Sequence, residues 1–126
     1  MKRRQLLFSF LKSIAVGIVA ASSTSGQDEL DPVKLMPGTH KVVFENSFVR
    51  VIESRVPAGG REIKHRHPHN VTVFLADFDS EIRTFPNGDW TPVHRTSGTA
   101  TWNEASVHEV KLGANAPSHT IRIELK

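Results

Sequence analysis

Residues 59–68 read Gly59-Gly60-Arg61-Glu62-Ile63-Lys64-His65-Arg66-His67-Pro68. A glycine pair opens the run, a proline closes it, and from Ile63 to His67 side-chain character changes at every step. Period-two alternation bounded by turn residues is the pattern of a short β-strand. On that reading Ile63, His65 and His67 share one face, while Lys64 and Arg66 share the other, where charge meets water. Two imidazoles then look inward one strand step apart, about 6–7 Å, which lets both reach a single ion.

The same signature repeats on either side. From His40 onward, β-like runs cover residues 40–45, 48–56, 62–67, 71–78, 81–85, 90–95, 98–102, 107–112 and 119–126. They are separated by Pro57-Ala58-Gly59-Gly60, Pro68, Pro86-Asn87-Gly88-Asp89, Ser97-Gly98 and Gly113-Ala114-Asn115. Asn87-Gly88 predicts a hairpin, since both residues tolerate positive φ. In the last run Ile121, Ile123 and Leu125 fall on one face and Arg122, Glu124 and Lys126 on the other, a half-buried strand with its isoleucines inward. Beyond the N-terminal segment no stretch keeps a helical period for three turns. Many short strands at regular spacing predict an all-β sandwich or barrel.

Within Val107-His108-Glu109-Val110-Lys111-Leu112, His108 shares a face with Val110 and Leu112. A third histidine therefore points inward from a different strand. Neutral imidazoles converging in a partly apolar pocket suit a divalent transition metal such as Fe, Zn, Ni, Cu or Mn and leave positions open for water or substrate. Burying three rings without a shared partner would instead carry several polar desolvations, which favours metal binding over a structural role. His69 matches the parity of His65 and His67, but Pro68 breaks or bulges the strand there. It is either a fourth ligand or a rim residue. His40, His94 and His119 read as surface histidines.

Of the carboxylates Glu53, Asp77, Glu104 and Glu109, each reads first as a solvated charge, with Glu104 closest to the rim of the site. Trp102 reads as core or pocket wall, and Trp90 as an exposed or edge residue. There is no Ser-His-Asp spacing and no glycine-rich loop leading into a helix.

The chain has 126 residues, room for one domain, and no cysteine, so disulfides, thiolate metal sites and cysteine nucleophiles are excluded. Met1-Lys2-Arg3-Arg4, the apolar run to Ala21 and the small residues up to Gly26 predict a cleavable export signal over 1–26. Lys12 splits that run, leaving a stretch too short to span a membrane. A periplasmic or secreted protein with no stable membrane span follows. Residues 27–39 read as an N-terminal arm or linker, and 40–126 as the domain. Four of the sixteen basic residues lie in the signal and all thirteen acidic ones beyond it, so the formal charge of +3 gives way to twelve basic against thirteen acidic residues. Nucleic acid is not an expected partner, because phosphate binding needs a clustered basic surface.

Gly59, five intervening residues and His65-Arg66-His67-Pro68 resemble the first conserved motif of the cupins, and His108 falls where their second motif supplies a histidine. The resemblance covers roughly residues 48–126. It implies a double-stranded β-helix, or jelly-roll, barrel, with His65, His67 and His108 as metal ligands. The chain departs from the family pattern at several points. Val71 and Thr72 stand where the family's glutamate ligand would lie, and Asp77-Phe78-Asp79 replaces the glycine that closes the first motif. Asn103 and Ala105 replace the proline and glycine of the second motif, and Leu112 its asparagine. The resemblance thus implies a three-histidine site, or one completed by His69. It further implies a small-molecule ligand or substrate and a homodimer. The activity is left between a dioxygenase-like or isomerase-like metalloenzyme and a non-catalytic binding module.

Overall fold

The computed structural model describes residues 29–126. The predicted export signal, 1–26, and the first two residues of the arm lie outside the described residues. Asp31 caps a four-residue helix, α1 (Pro32–Leu35), by accepting a hydrogen bond from the Val33 amide at 3.0 Å. Pro32 suits the first helical turn, where its missing N–H is no loss. Among the described residues nine strands follow: β1 (His40–Glu45), β2 (Val49–Val56), β3 (Arg61–His67), β4 (Asn70–Phe74), β5 (Phe78–Thr84), β6 (Thr91–Arg95), β7 (Ala100–Asn103), β8 (Ser106–Leu112) and β9 (Ser118–Leu125).

They form two antiparallel sheets, one ordered β1-β2-β9-β4-β7 and the other β3-β8-β5-β6. This is the all-β jelly-roll architecture expected from the sequence. The sheets face each other across a shared interior without closing into a barrel. The run predicted as a single strand over 71–78 is two: β4 ends at Phe74, and the chain crosses to the opposite sheet before β5 starts at Phe78. The 85–90 connection joins β5 to β6 as a hairpin, but without the positive φ expected at Asn87 and Gly88. Its tightness has another origin. The Gly88 amide donates to the Thr84 carbonyl at 2.7 Å, and a Cβ on Gly88 would collide with the Thr84 backbone. Glycine is needed there for close approach.

The interior has an apolar end built from Val56, Phe74, Phe78, Val110 and Leu112. Its other end is polar, with His65, His67, Asn70, Thr72 and Glu124 all buried. The last strand turns over relative to its prediction. Ser118, Thr120, Arg122 and Glu124 face inward, whereas Ile121 and Ile123 are only partly buried and Leu125 is 41% exposed. Register explains this. Ile123 pairs with Val51 and Val71, and those line up with Phe44 and Trp102. Residues paired across a sheet share a face, so one apolar row crosses all five strands on the outer side.

Candidate metal centre

The centre is built on β3 and β8, which pair with His65 opposite His108 and Glu62 opposite Val110. Residues 63 and 64 together face Glu109, so β3 carries one extra residue, a β-bulge. The bulge changes the expected faces. Ile63, predicted inward, is 48% exposed, and Glu62 turns inward in its place. His65 and His67 keep their predicted orientation and are 0% and 2% exposed.

One nitrogen from each of the His65, His67 and His108 rings lies within 4.8 Å of the other two. Hydrogen bonds on the far side of two rings fix which nitrogen holds the proton. His65 Nδ1 lies 2.6 Å from the Ile63 carbonyl, an acceptor only, so this nitrogen donates and Nε2 keeps its lone pair. His67 Nδ1 likewise donates to Glu124 Oε2 at 2.7 Å. Its Nε2 is buried and has no hydrogen-bond partner. His108 Nε2 sits 3.0 Å from His65 Nε2. A carbonyl or carboxylate behind each imidazole is how metal-binding histidines are oriented and made more basic. With His65 protonated on Nδ1, the contact between the two Nε2 atoms makes His108 Nε2 the donor to His65 Nε2, a proton that a bound ion would displace. Three neutral imidazoles within reach of one another and no thiolate suit a divalent transition metal.

The electrostatics keep these rings neutral. Burial lowers the pKa of all three below the ordinary histidine value, and mutual repulsion together with Arg122 brings His108 to about 3. At Glu62, burial pushes the carboxyl up, but the hydrogen bond and charge of His40, with His65 and Arg122, hold it at about 2. Its Oε1 is 3.2 Å from His40 Nε2 and 3.6 Å from His65 Nε2. An ionised carboxylate therefore stands beside the three histidines. Glu124 is pushed up by burial and held back by Arg50, whose guanidinium spans Glu124 Oε1 (2.9 Å) and both carboxylate oxygens of Asp31. The arm before β1 thus anchors the carboxylate that orients His67.

The other expectations divide. His69 stands at the rim: its side chain is 53% exposed, meets Glu104 at 2.8 Å and stacks on Trp102. It is not brought to the histidine cluster. His40, expected at the surface, is 3% exposed and holds Glu62, because α1 packs over β1 and β3. His94 is exposed and paired with Asp79, and His119 meets Glu53 at 2.8 Å. Trp102 is 54% exposed, a rim residue and not core. Trp90 is covered by the cations of Lys111, Arg61 and Arg83. Sequence reasoning missed Glu62, Glu124, Arg122 and His40. A polar face was visible in Ser118-x-Thr120-x-Arg122-x-Glu124, but nothing in the sequence announces the bulge that turns Glu62 inward.

A cavity of about 390 Å³ opens from the histidines toward the apolar end. Its size suits a small organic molecule.

Several solved structures share this architecture. A cupin domain from Bordetella pertussis Tohama I superposes with a TM-score of 0.62 at 26% identity, over 69% of this chain and 91% of that one. The chain belongs to the cupin superfamily. An RmlC-like cupin with a double-stranded β-helix fold from Methanocaldococcus jannaschii matches at TM-score 0.54 and 10% identity, over 68% of this cupin and 77% of the other chain. The DMSP lyase DddQ of Ruegeria pomeroyi DSS-3 gives 0.54 at 12% identity, with 72% of this cupin covering 49% of that enzyme. At such identities the last two share the fold alone. No protein-family model matches the chain, and no curated protein matches it.

Proposed function

We propose that this cupin holds one divalent transition metal on His65, His67 and His108 and binds a small organic molecule beside it in the cavity. The observation that carries this reading is the buried, unpartnered Nε2 of His67, in a ring whose ligand nitrogen lies within 4.8 Å of those of His65 and His108. In a folded protein a buried polar atom of this kind calls for a partner, and a metal ion shared with His65 and His108 supplies one. Glu62, ionised and within 3.6 Å of His65 Nε2, is the anionic group that balances the ion's charge. When bound, the ion supplies an electrophilic centre for an organic oxygen donor. The protein's part is to orient that donor, with His65 and His67 fixed from behind.

The test is metal content per chain, by plasma mass spectrometry, on protein purified without a His tag. About one ion is expected in wild type, with loss in His65→Ala, His67→Ala and His108→Ala. No ion after loading with Fe, Zn, Ni, Cu or Mn would defeat the reading. Iron would direct the search to dioxygenase-like chemistry, zinc to isomerase-like or binding roles. We also propose that residues 1–26 are removed on export, which intact mass of the protein from a periplasmic fraction would check. A homodimer through the apolar outer row of the five-stranded sheet completes the proposal. Phe44→Asp should then lower the sedimenting mass to one chain.

A further inference from the structure

Two arginines line the same cavity as the histidines without belonging to their cluster. Arg122 projects from the centre of the five-stranded sheet, and its Nε donates to Thr72 Oγ1 at 3.0 Å. Thr72 is held in turn by Asn70 and Asn103, so the guanidinium is fixed in position. Arg95 comes from the opposite sheet, on edge strand β6, opposite the inward-facing Phe78. Its guanidinium carbon lies 4.7 Å from the centre of the Phe74 ring.

The carboxylates of the interior are distributed unevenly. Glu124 is bound by Arg50, and Glu62 by His40. Among the described residues no carboxylate forms an ion pair with Arg95 or Arg122. The two cations are near enough to repel each other. Glu62 and Glu124, each already engaged by another cation, also act on Arg122 through space, whereas burial alone acts on Arg95. Two guanidinium groups in one cavity, one of them with no anion beside it, form a receptor for negative charge. The cavity lining is mixed, with Phe74, Phe78, Ile82 and Val110 among polar residues such as Thr72, Ser80 and Thr120. Guanidinium donors that share a cavity with these aromatic and aliphatic side chains suit an anion with a hydrocarbon body, and guanidinium forks match a carboxylate in particular.

We propose that the ligand of this cavity is a small organic carboxylate, its acid group held by Arg122 and Arg95 and its apolar body resting against Phe74 and Phe78. This deepens the reading of the cavity as the functional site but does not require the metal. The arginines lie outside the histidine cluster, so acid binding and metal binding can fail separately.

The full chain, stripped with EDTA so that no carboxylate can bind through an ion, would be titrated calorimetrically with phenylacetate and butyrate. Phenylacetamide, which matches phenylacetate in shape but carries no charge, is the control, and inorganic phosphate the competitor. Phenylacetate should bind at least ten-fold more tightly than the amide. That preference should vanish in Arg122→Gln and fall several-fold in Arg95→Gln, the edge-strand variant that tests the idea even if Arg122→Gln does not fold. Phosphate should compete poorly, having no hydrocarbon body. Equal binding of acid and amide, binding of neither acid, or a preference untouched by Arg95→Gln would overturn the assignment. So would phosphate competing as well as phenylacetate. Metal content measured on the same preparations would show whether the three-histidine reading stands or falls independently.

Discussion

The two ends of the interior are held by different forces. At one end Val56, Phe74, Phe78, Val110 and Leu112 bury hydrocarbon against hydrocarbon, the main favourable contribution to folding. At the other, His65, His67, Thr72 and Glu124 are as deeply buried, yet their desolvation opposes folding unless every polar atom finds a partner. The polar end is therefore carried by the apolar one. Its order comes from hydrogen bonds of fixed direction: Ile63 to His65, Glu124 to His67, Arg50 to Glu124 and Asp31. A jelly roll can thus support a site that contributes little to its own stability, provided the far end packs well.

Acid should separate the two ends most widely. The unfolded chain protonates its histidines near pH 6.5, whereas folded His108 resists until about pH 3 and His65 and His67 are also held low. Stability is then full above pH 6.5 and declines as pH falls through that window. His108 alone accounts for about 2 kcal/mol at pH 5 and about 4 kcal/mol by pH 3. Glu62 acts in the same direction lower down, its contribution present above 4.5 and lost toward 2. Urea melts of the EDTA-treated protein from pH 8 to 4 would show the decline; a flat profile would mean that these rings are not buried neutral. Phe74→Ala should remove about 3–5 kcal/mol while leaving metal stoichiometry unchanged, and a loss of metal with stability intact would reverse the comparison. Glu62→Gln should weaken metal affinity about 10–100-fold, read by competition with a chelator, and should also lower stability at neutral pH, because it removes the charge that His40 holds. Least affected should be Trp102→Ala at the rim, with less than about 1 kcal/mol by denaturation.

Much of this division was legible in the sequence, but only where polarity and burial agree. On β8, His108, Val110 and Leu112 share the inward face as alternation predicts. On β9 the alternation is equally clear and the inward face is the other one, because the isoleucines pack into an apolar outer row while Arg122 and Glu124 serve the interior. A period-two pattern fixes two faces and does not say which is covered. That choice depends on neighbouring strands. The strands themselves were placed to within a few residues, except where 71–78 hid a crossing between sheets. Asp31 and His40 were out of reach for a different reason: their partners, Arg50 and Glu62, are about twenty residues away in sequence.

The bulge on β3 bears on how relatives of this chain should be aligned. Glu62 precedes His65 by three residues, yet both face inward, because Ile63 and Lys64 together occupy a single step opposite Glu109. In space the pair is equivalent to Glu-x-His on a regular strand. Shortening this segment by one residue would keep Glu62, His65 and His67 on the same face and sacrifice only the Ile63 carbonyl that orients His65. A relative whose glutamate lies one position nearer to the first histidine is therefore a spatial match, despite the gap that an alignment would open between them.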